Sequence, residues 1–174
     1  MYISTVMLSS IAYSLSKAHA AYSGASGSYS TGEYCLFFLP LTLHFGWTSA
    51  ASLVNLNGSV AKQDASIATP KVMAGLGHSS AILATLLGVY ITVTRNAPVY
   101  GGVIAWALSA VADGMKKRLA AAVAEDDKKS DEKKVVAGYT FGAKPQQWIS
   151  NAGAIICATA SVLVTATLLK GKNA

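Results

Sequence analysis

The run from Val72 to Val93 (VMAGLGHSSAILATLLGVYITV) contains no Asp, Glu, Lys or Arg in 22 residues. As an α-helix it would extend about 33 Å, enough to cross the hydrocarbon core of a bilayer. A water-exposed helix of that length shows a polar stripe at 3.6-residue spacing, whereas this run offers one imidazole, a few hydroxyls and several glycines. Gly77/Ala81 and Ala84/Gly88 are small residues at i,i+4, the spacing that lets helix backbones approach closely in lipid. A chain built round such a run folds in a membrane.

Other runs follow the same pattern. The segment from about Tyr34 to Leu56 holds Leu39-Pro40-Leu41-Thr42-Leu43-His44-Phe45-Gly46-Trp47 and is also uncharged. Pro40 falls in its first two turns, where a missing N–H is tolerated. Asn57-Gly58 signals a turn, and Pro70 marks the next helix start. Thr94-Arg95-Asn96-Ala97-Pro98 is a tight connection, so the helix after it runs antiparallel to 72–93. The expectation is an all-α membrane bundle of about five spanning helices in one domain, at about 1–16, 34–56, 72–93, 98–115 (extending to about 124) and 148–169. Residues 17–32 are expected as an exposed Ser/Gly/Tyr loop containing His19, and 116–147 as a charged loop.

Hydrophobic residues make up 52% of the chain and charged residues 13%, about half the charged share of a soluble globular protein. The net charge of +6 argues little for nucleic acid, because the cations lie beside apolar runs, as the positive-inside bias requires. Ten Lys and Arg (Lys62, Lys71, Lys116, Lys117, Arg118, Lys128, Lys129, Lys133, Lys134, Lys144) fall on one side and four (Lys17, Arg95, Lys170, Lys172) on the other. The charged loop is therefore expected on the cytoplasmic, stromal or matrix side. Met1 to Ala21 lacks the basic start of a cleavable signal peptide. Cys35 and Cys157 are assigned to opposite depths, which argues against a disulfide.

Catalytic patterns are missing: there is no Walker loop, no HExxH and no paired carboxylate inside a span. The last absence also argues against a proton- or cation-coupled transporter, and a non-enzyme is expected. His44 and His78 lie in apolar runs. There an imidazole either bonds a neighbouring helix or ligates a metal, such as that of a tetrapyrrole. His44 is the better axial-ligand candidate, since Gly46 and other small residues nearby leave room for a flat ring. Trp47 and Trp106 read either as packing residues or as walls of a ligand site. Asn55, near a helix end, reads as a cap or an interhelical bond.

The run LPLTLHFGWTSAASLVN resembles a motif of bacterial tryptophan-rich sensory proteins, distant relatives of the translocator protein (TspO/MBR) group. The matching residues are Pro40, Gly46, Trp47, Ala51 and Asn55, then Arg95, then Val103, Trp106, Ala107 and Leu108. The resemblance covers roughly Met1 to Ala124. It implies a membrane binder of porphyrins, sterols or other apolar ligands. The tryptophan- and proline-rich signatures of true translocator proteins are not evident, and the loop from Lys116 to Lys144 is an addition.

Two functional expectations follow. The first is an accessory subunit packed on a larger photosynthetic or respiratory membrane complex, in a thylakoid or mitochondrial inner membrane. It would contact lipid and pigment (chlorophyll or another tetrapyrrole, carotenoid) through His44 or His78. The second is a free-standing translocator-like binder or sensor, with Trp47, Trp106, His44 and Asn55 lining its ligand site.

Overall fold

The computed structural model describes residues 2–24, 30–61, 69–124 and 141–171. Among them are five long helices and no strand: α1 (Tyr2–Gly24), α3 (Leu39–Ala61), α4 (Pro70–Thr94), α5 (Pro98–Ala124) and α6 (Ala143–Gly171). A one-turn helix, α2 (Thr31–Glu33), and a π-helical turn (Tyr34–Phe38) lead into α3. Three stretches, Tyr34–Asn57, Pro70–Thr94 and Ala143–Lys170, are long and apolar enough to cross a membrane. In order, α1 lies on α3, α3 meets α4 and α5, and α6 covers α4 and α5 from the far side.

The packing is inverted relative to a water-soluble bundle. On α4 the buried residues are Ala74, Gly77, Ala81, Ala84, Gly88, Ile91 and Thr92, while Ile82, Leu83, Leu86, Leu87 and Tyr90 face outward. Small side chains inside and large apolar ones outside are the mark of helices that associate by close packing in lipid. A Cβ added at Gly88 would lie 2.6 Å from Cys157 Sγ, and one at Gly46 would lie 3.0 Å from Val103 Cβ. Neither position accepts a side chain unless its neighbour shifts.

The helix ends follow from local chemistry. Pro70 occupies the first turn of α4, and the Thr69 side chain caps it by accepting from the Val72 N–H at 3.3 Å. Asn96 takes a left-handed φ of 48° in the Arg95–Asn96 turn, a conformation that Asn tolerates well. The π-turn ends just before Pro40, where the Leu39 N–H reaches back to Tyr34 O. A proline cannot supply the next i→i−4 bond, and widening the preceding turn absorbs that defect.

Several boundaries differ from expectation. The first helix does not stop near Ser16 but runs to Gly24. Its hydroxyls are satisfied internally, Ser10 donating to Val6 O and Ser14 to Ser10 O at 2.9 Å each. His19 is therefore not in an exposed loop; it is fully buried in α1. Asn57-Gly58 is not a turn, since α3 continues to Ala61, with Asn57 Nδ2 donating to Leu53 O at 2.8 Å one turn back. The last helix, α6, begins at Ala143, ahead of the expected start at 148, so the end of the expected loop 116–147 is helical. Its central residues, 125–140, and residues 25–29 of the first expected loop lie outside the described residues. Cys35 is exposed, Cys157 is buried, and both are free.

Candidate functional site

Gly46 is the contact point of α3 with α5. It lies against Val103 and Tyr100, and its neighbour Phe45 stacks on Tyr100 with ring centroids 4.6 Å apart. With the backbones drawn together there, Trp47 projects along the outer edge of the seam. Trp106, one turn beyond Val103 on the parallel helix, meets it. Their centroids are 5.5 Å apart at an interplanar angle of 37°, within the range of favourable aromatic pairs. Both rings stay open to the surroundings, at 51% and 60% exposure. Leu43, Gly102 and Val103 complete an open groove of about 420 Å³. That volume falls in the range of small-molecule sites.

The same seam continues toward the charged-loop end as a crevice between α3, α4 and α5. Ala50, Leu53, Val54, Ala81, Ala84 and Leu108 are among its lining residues, and its volume is about 60 Å³. Asn57 and Ser80 lie at its polar end, with Gln146 of α6 nearby. Asn57 Nδ2 donates to Ser80 Oγ at 3.0 Å, while its Oδ1 is buried with no partner among the described residues. Among the described residues, no charged side chain lines the groove or the crevice.

The remaining site residues expected from sequence lie elsewhere. His44 is exposed and sits about 60° round α3 from Trp47 at 100° per residue. His78 is half-buried, with Nε2 3.1 Å from Gly142 O, tying α4 to the entry of α6. His44 lies thirteen residues before Asn57, about 20 Å along the helix. His78 is two residues from Ser80, Asn57's partner, so the two histidines do not share a site. Asn55 makes an interhelical bond: its Oδ1 accepts from Ser4 Oγ at 3.2 Å on α1. Among the described residues no three of His, Cys, Asp and Glu gather as a metal site. The crevice, at a fraction of an ordinary ligand pocket, does not fit a tetrapyrrole ring within the bundle.

His19 is the buried polar residue that the sequence reading missed. Its ring packs on Phe38 and Phe45 at 4.8 and 5.7 Å between centroids, and neither nitrogen has a partner among the described residues. Arg95 Nη1 donates to Ser16 O at 2.9 Å nearby, pinning the α4–α5 turn to α1. The lone histidine in a Ser/Gly-rich stretch carried no periodic signal that would have placed it inside.

Compared with known proteins, the chain matches the TSPO-like protein family over residues 1–124, a span that includes α1 to α5 with both tryptophans of the groove. No curated protein and no solved structure matches the chain. With most of its length matched, and with the small-residue packing of a membrane bundle, this chain belongs to the TSPO-like protein family.

Proposed function

We propose that the protein is a non-catalytic membrane protein that takes an apolar ligand from the surrounding lipid along the α3–α5 seam. The observation that carries this reading is the exposed Trp47–Trp106 pair over a charge-free groove of about 420 Å³. The crevice deeper in the seam is far smaller, so the body of a ligand lies outside, against the two indoles. Membership of the TSPO-like family supports the same reading. A flat or chain-like molecule suits such a groove because it covers both aromatic faces at once.

The test is photolabelling in lipid nanodiscs with an alkyl chain carrying a diazirine, followed by mapping of the adducts. Adducts are expected to concentrate on Leu43, Trp47, Val103 and Trp106. Leu86, Tyr90, Val162 and Leu163 are apolar residues on other faces that are at least as open as the groove residues, and they serve as the internal reference. An even spread over both sets refutes a preferred site. A native gel in mild detergent then separates the two settings. A binder migrates as a monomer or small oligomer, whereas migration with a large assembly makes the groove a contact for a neighbouring subunit.

A further inference from the structure

We propose that a pocket between the end of α1 and the entry to α3 holds a trimethylammonium group, with aromatic rings against its methyls and the Glu33 carboxylate as its counter-charge. The site shares no residue with the α3–α5 groove and does not depend on the apolar-ligand reading. Its lining residues are Tyr22, Glu33, Phe37 and Phe38, and its volume is about 220 Å³. α1 runs past Ser16 to Gly24, which carries Tyr22 up to the π-turn. Phe38 is buried, packed on the His19 ring at 4.8 Å and on Tyr34 at 5.6 Å between centroids. Tyr22 and Phe37 stay open to the surroundings. Ser30 holds Glu33 through Oε2, its N–H and hydroxyl donating at 2.9 and 2.8 Å.

The chemistry of this set selects the ligand. The bonds from Ser30 keep the carboxyl below its ordinary 4.5, so it is charged at neutral pH. Among the described residues no Lys, Arg or His forms an ion pair with it. Lys17, five residues before Tyr22, lies instead over the Tyr13 ring at 5.4 Å. Three rings and one carboxylate suit a cation that presents carbon rather than N–H. A primary ammonium brings three donors, and the side-chain acceptors lining the pocket are the carboxylate and the Tyr22 hydroxyl alone. A metal ion finds a single carboxylate, too few ligands to replace its water. A trimethylammonium donates nothing and turns its spread charge to the rings through methyl groups. The pocket has room for one such head and not for a whole drug-sized molecule. The membrane-crossing stretch begins at Tyr34, next to Glu33, so the pocket stands at the level of lipid head groups.

The experiment follows amide shifts in dodecyl maltoside micelles at neutral pH. The chain has four phenylalanines, so ¹⁵N-Phe labelling gives four signals. Phe37 and Phe38 line the pocket, and Phe141, which precedes α6, is the reference. Two pairs of probes are titrated: choline against ethanolamine, and dihexanoylphosphatidylcholine against dihexanoylphosphatidylethanolamine. Within each pair the charge is equal and only the methyls differ. The methylated member is expected to half-saturate the Phe37 and Phe38 shifts at a concentration about threefold to tenfold lower, the factor of a partly exposed cation–π contact. That preference in the lipid pair alone assigns the pocket to a membrane lipid; in the soluble pair, it assigns the pocket to a free ion. Equal half-saturation within both pairs, or no shift beyond that of Phe141, overturns the proposal. Phe37 is exposed, so Phe37→Leu keeps the fold and should cut the preference, read at Phe38. Glu33→Gln keeps an oxygen for Ser30 and should weaken both members of a pair alike. Full preference in Phe37→Leu, or undiminished binding in Glu33→Gln, overturns the proposal as well, because the methyls or the charge would then be read elsewhere.

Discussion

Replacing Gly88 with Ala tests whether close backbone approach holds this bundle together. The added Cβ would lie 2.6 Å from Cys157 Sγ and 3.1 Å from Ile104 Cγ2. Heavy atoms in contact prefer about 3.5–4.0 Å, so the sulfur contact is about 1 Å short. Cys157 has no free direction in which to retreat. It is fully buried, and its thiol donates to Thr85 O on α4 at 3.7 Å. Overpacking of this kind costs about 1–3 kcal/mol, offset by up to about 1 kcal/mol from the better helix propensity of Ala. A net loss of about 0.5–2 kcal/mol is expected. Cys157→Ala alone should cost about 1 kcal/mol for the methyl-sized void it leaves. In the double variant the new methyl group occupies that void, so the two losses should largely cancel. SDS titration of the protein in dodecyl maltoside micelles, followed by far-UV ellipticity, gives the four stabilities of the cycle. Gly75→Ala is the control, since nothing lies within 4 Å of a Cβ there. Additivity of the two single losses to within about 0.5 kcal/mol, the behaviour of independent sites, would refute the contact.

Three further outcomes are expected. His19→Leu removes two unpartnered buried nitrogens, so thermal unfolding in detergent should move up by a few degrees, about 1 kcal/mol; a fall shows that the ring makes a bond. His78→Phe takes away the bond to Gly142 O, and amide exchange should quicken at the start of α6 while the middle of α4 keeps its protection. At the entry to α2, the Ser30 N–H and hydroxyl donate to Glu33 Oε2 at 2.9 and 2.8 Å, and these bonds hold the Glu33 carboxyl below its ordinary 4.5. A carboxyl lowered on folding stabilises the turn fully above 4.5 and loses that contribution as pH falls through the lowered midpoint. An NMR titration of the Glu33 side chain should therefore show a midpoint under 4.5 that rises only partway toward it in Ser30→Ala, which loses the hydroxyl but keeps the N–H donor.

The parts of the fold visible in the sequence were those that depend on size. Gly77, Ala81, Ala84 and Gly88 were picked out by spacing alone, and all four are buried on one face of α4. Pro70 marked its helix start because a ring with no N–H costs nothing in a first turn. The failures came where polar side chains bonded their own helix. Asn57 read as a turn former and the Ser-rich first helix as ending near Ser16, yet Asn57, Ser10 and Ser14 each donate to a carbonyl of the preceding turn. Without water as a competitor, such a bond keeps the helix going through residues that would end it at a surface. The depth of His19 was hidden because the first helix, expected to end near Ser16, continues past it to Gly24.

The pairing of Trp47 with Trp106 shows why a site is harder to read than a fold. Each tryptophan alone is indistinguishable from a packing or interfacial residue, and their separation of 59 positions has no periodic meaning. What joins them is Gly46, whose missing side chain lets Val103 of α5 come within contact distance. Gly46→Leu should therefore part the indoles without touching either one. The exciton coupling between the two rings, seen in near-UV circular dichroism, should fall with their separation, while the helical signal in the far UV is kept. If the near-UV signal survives Gly46→Leu unchanged, something other than the α3–α5 approach positions the rings, and the groove loses its structural cause.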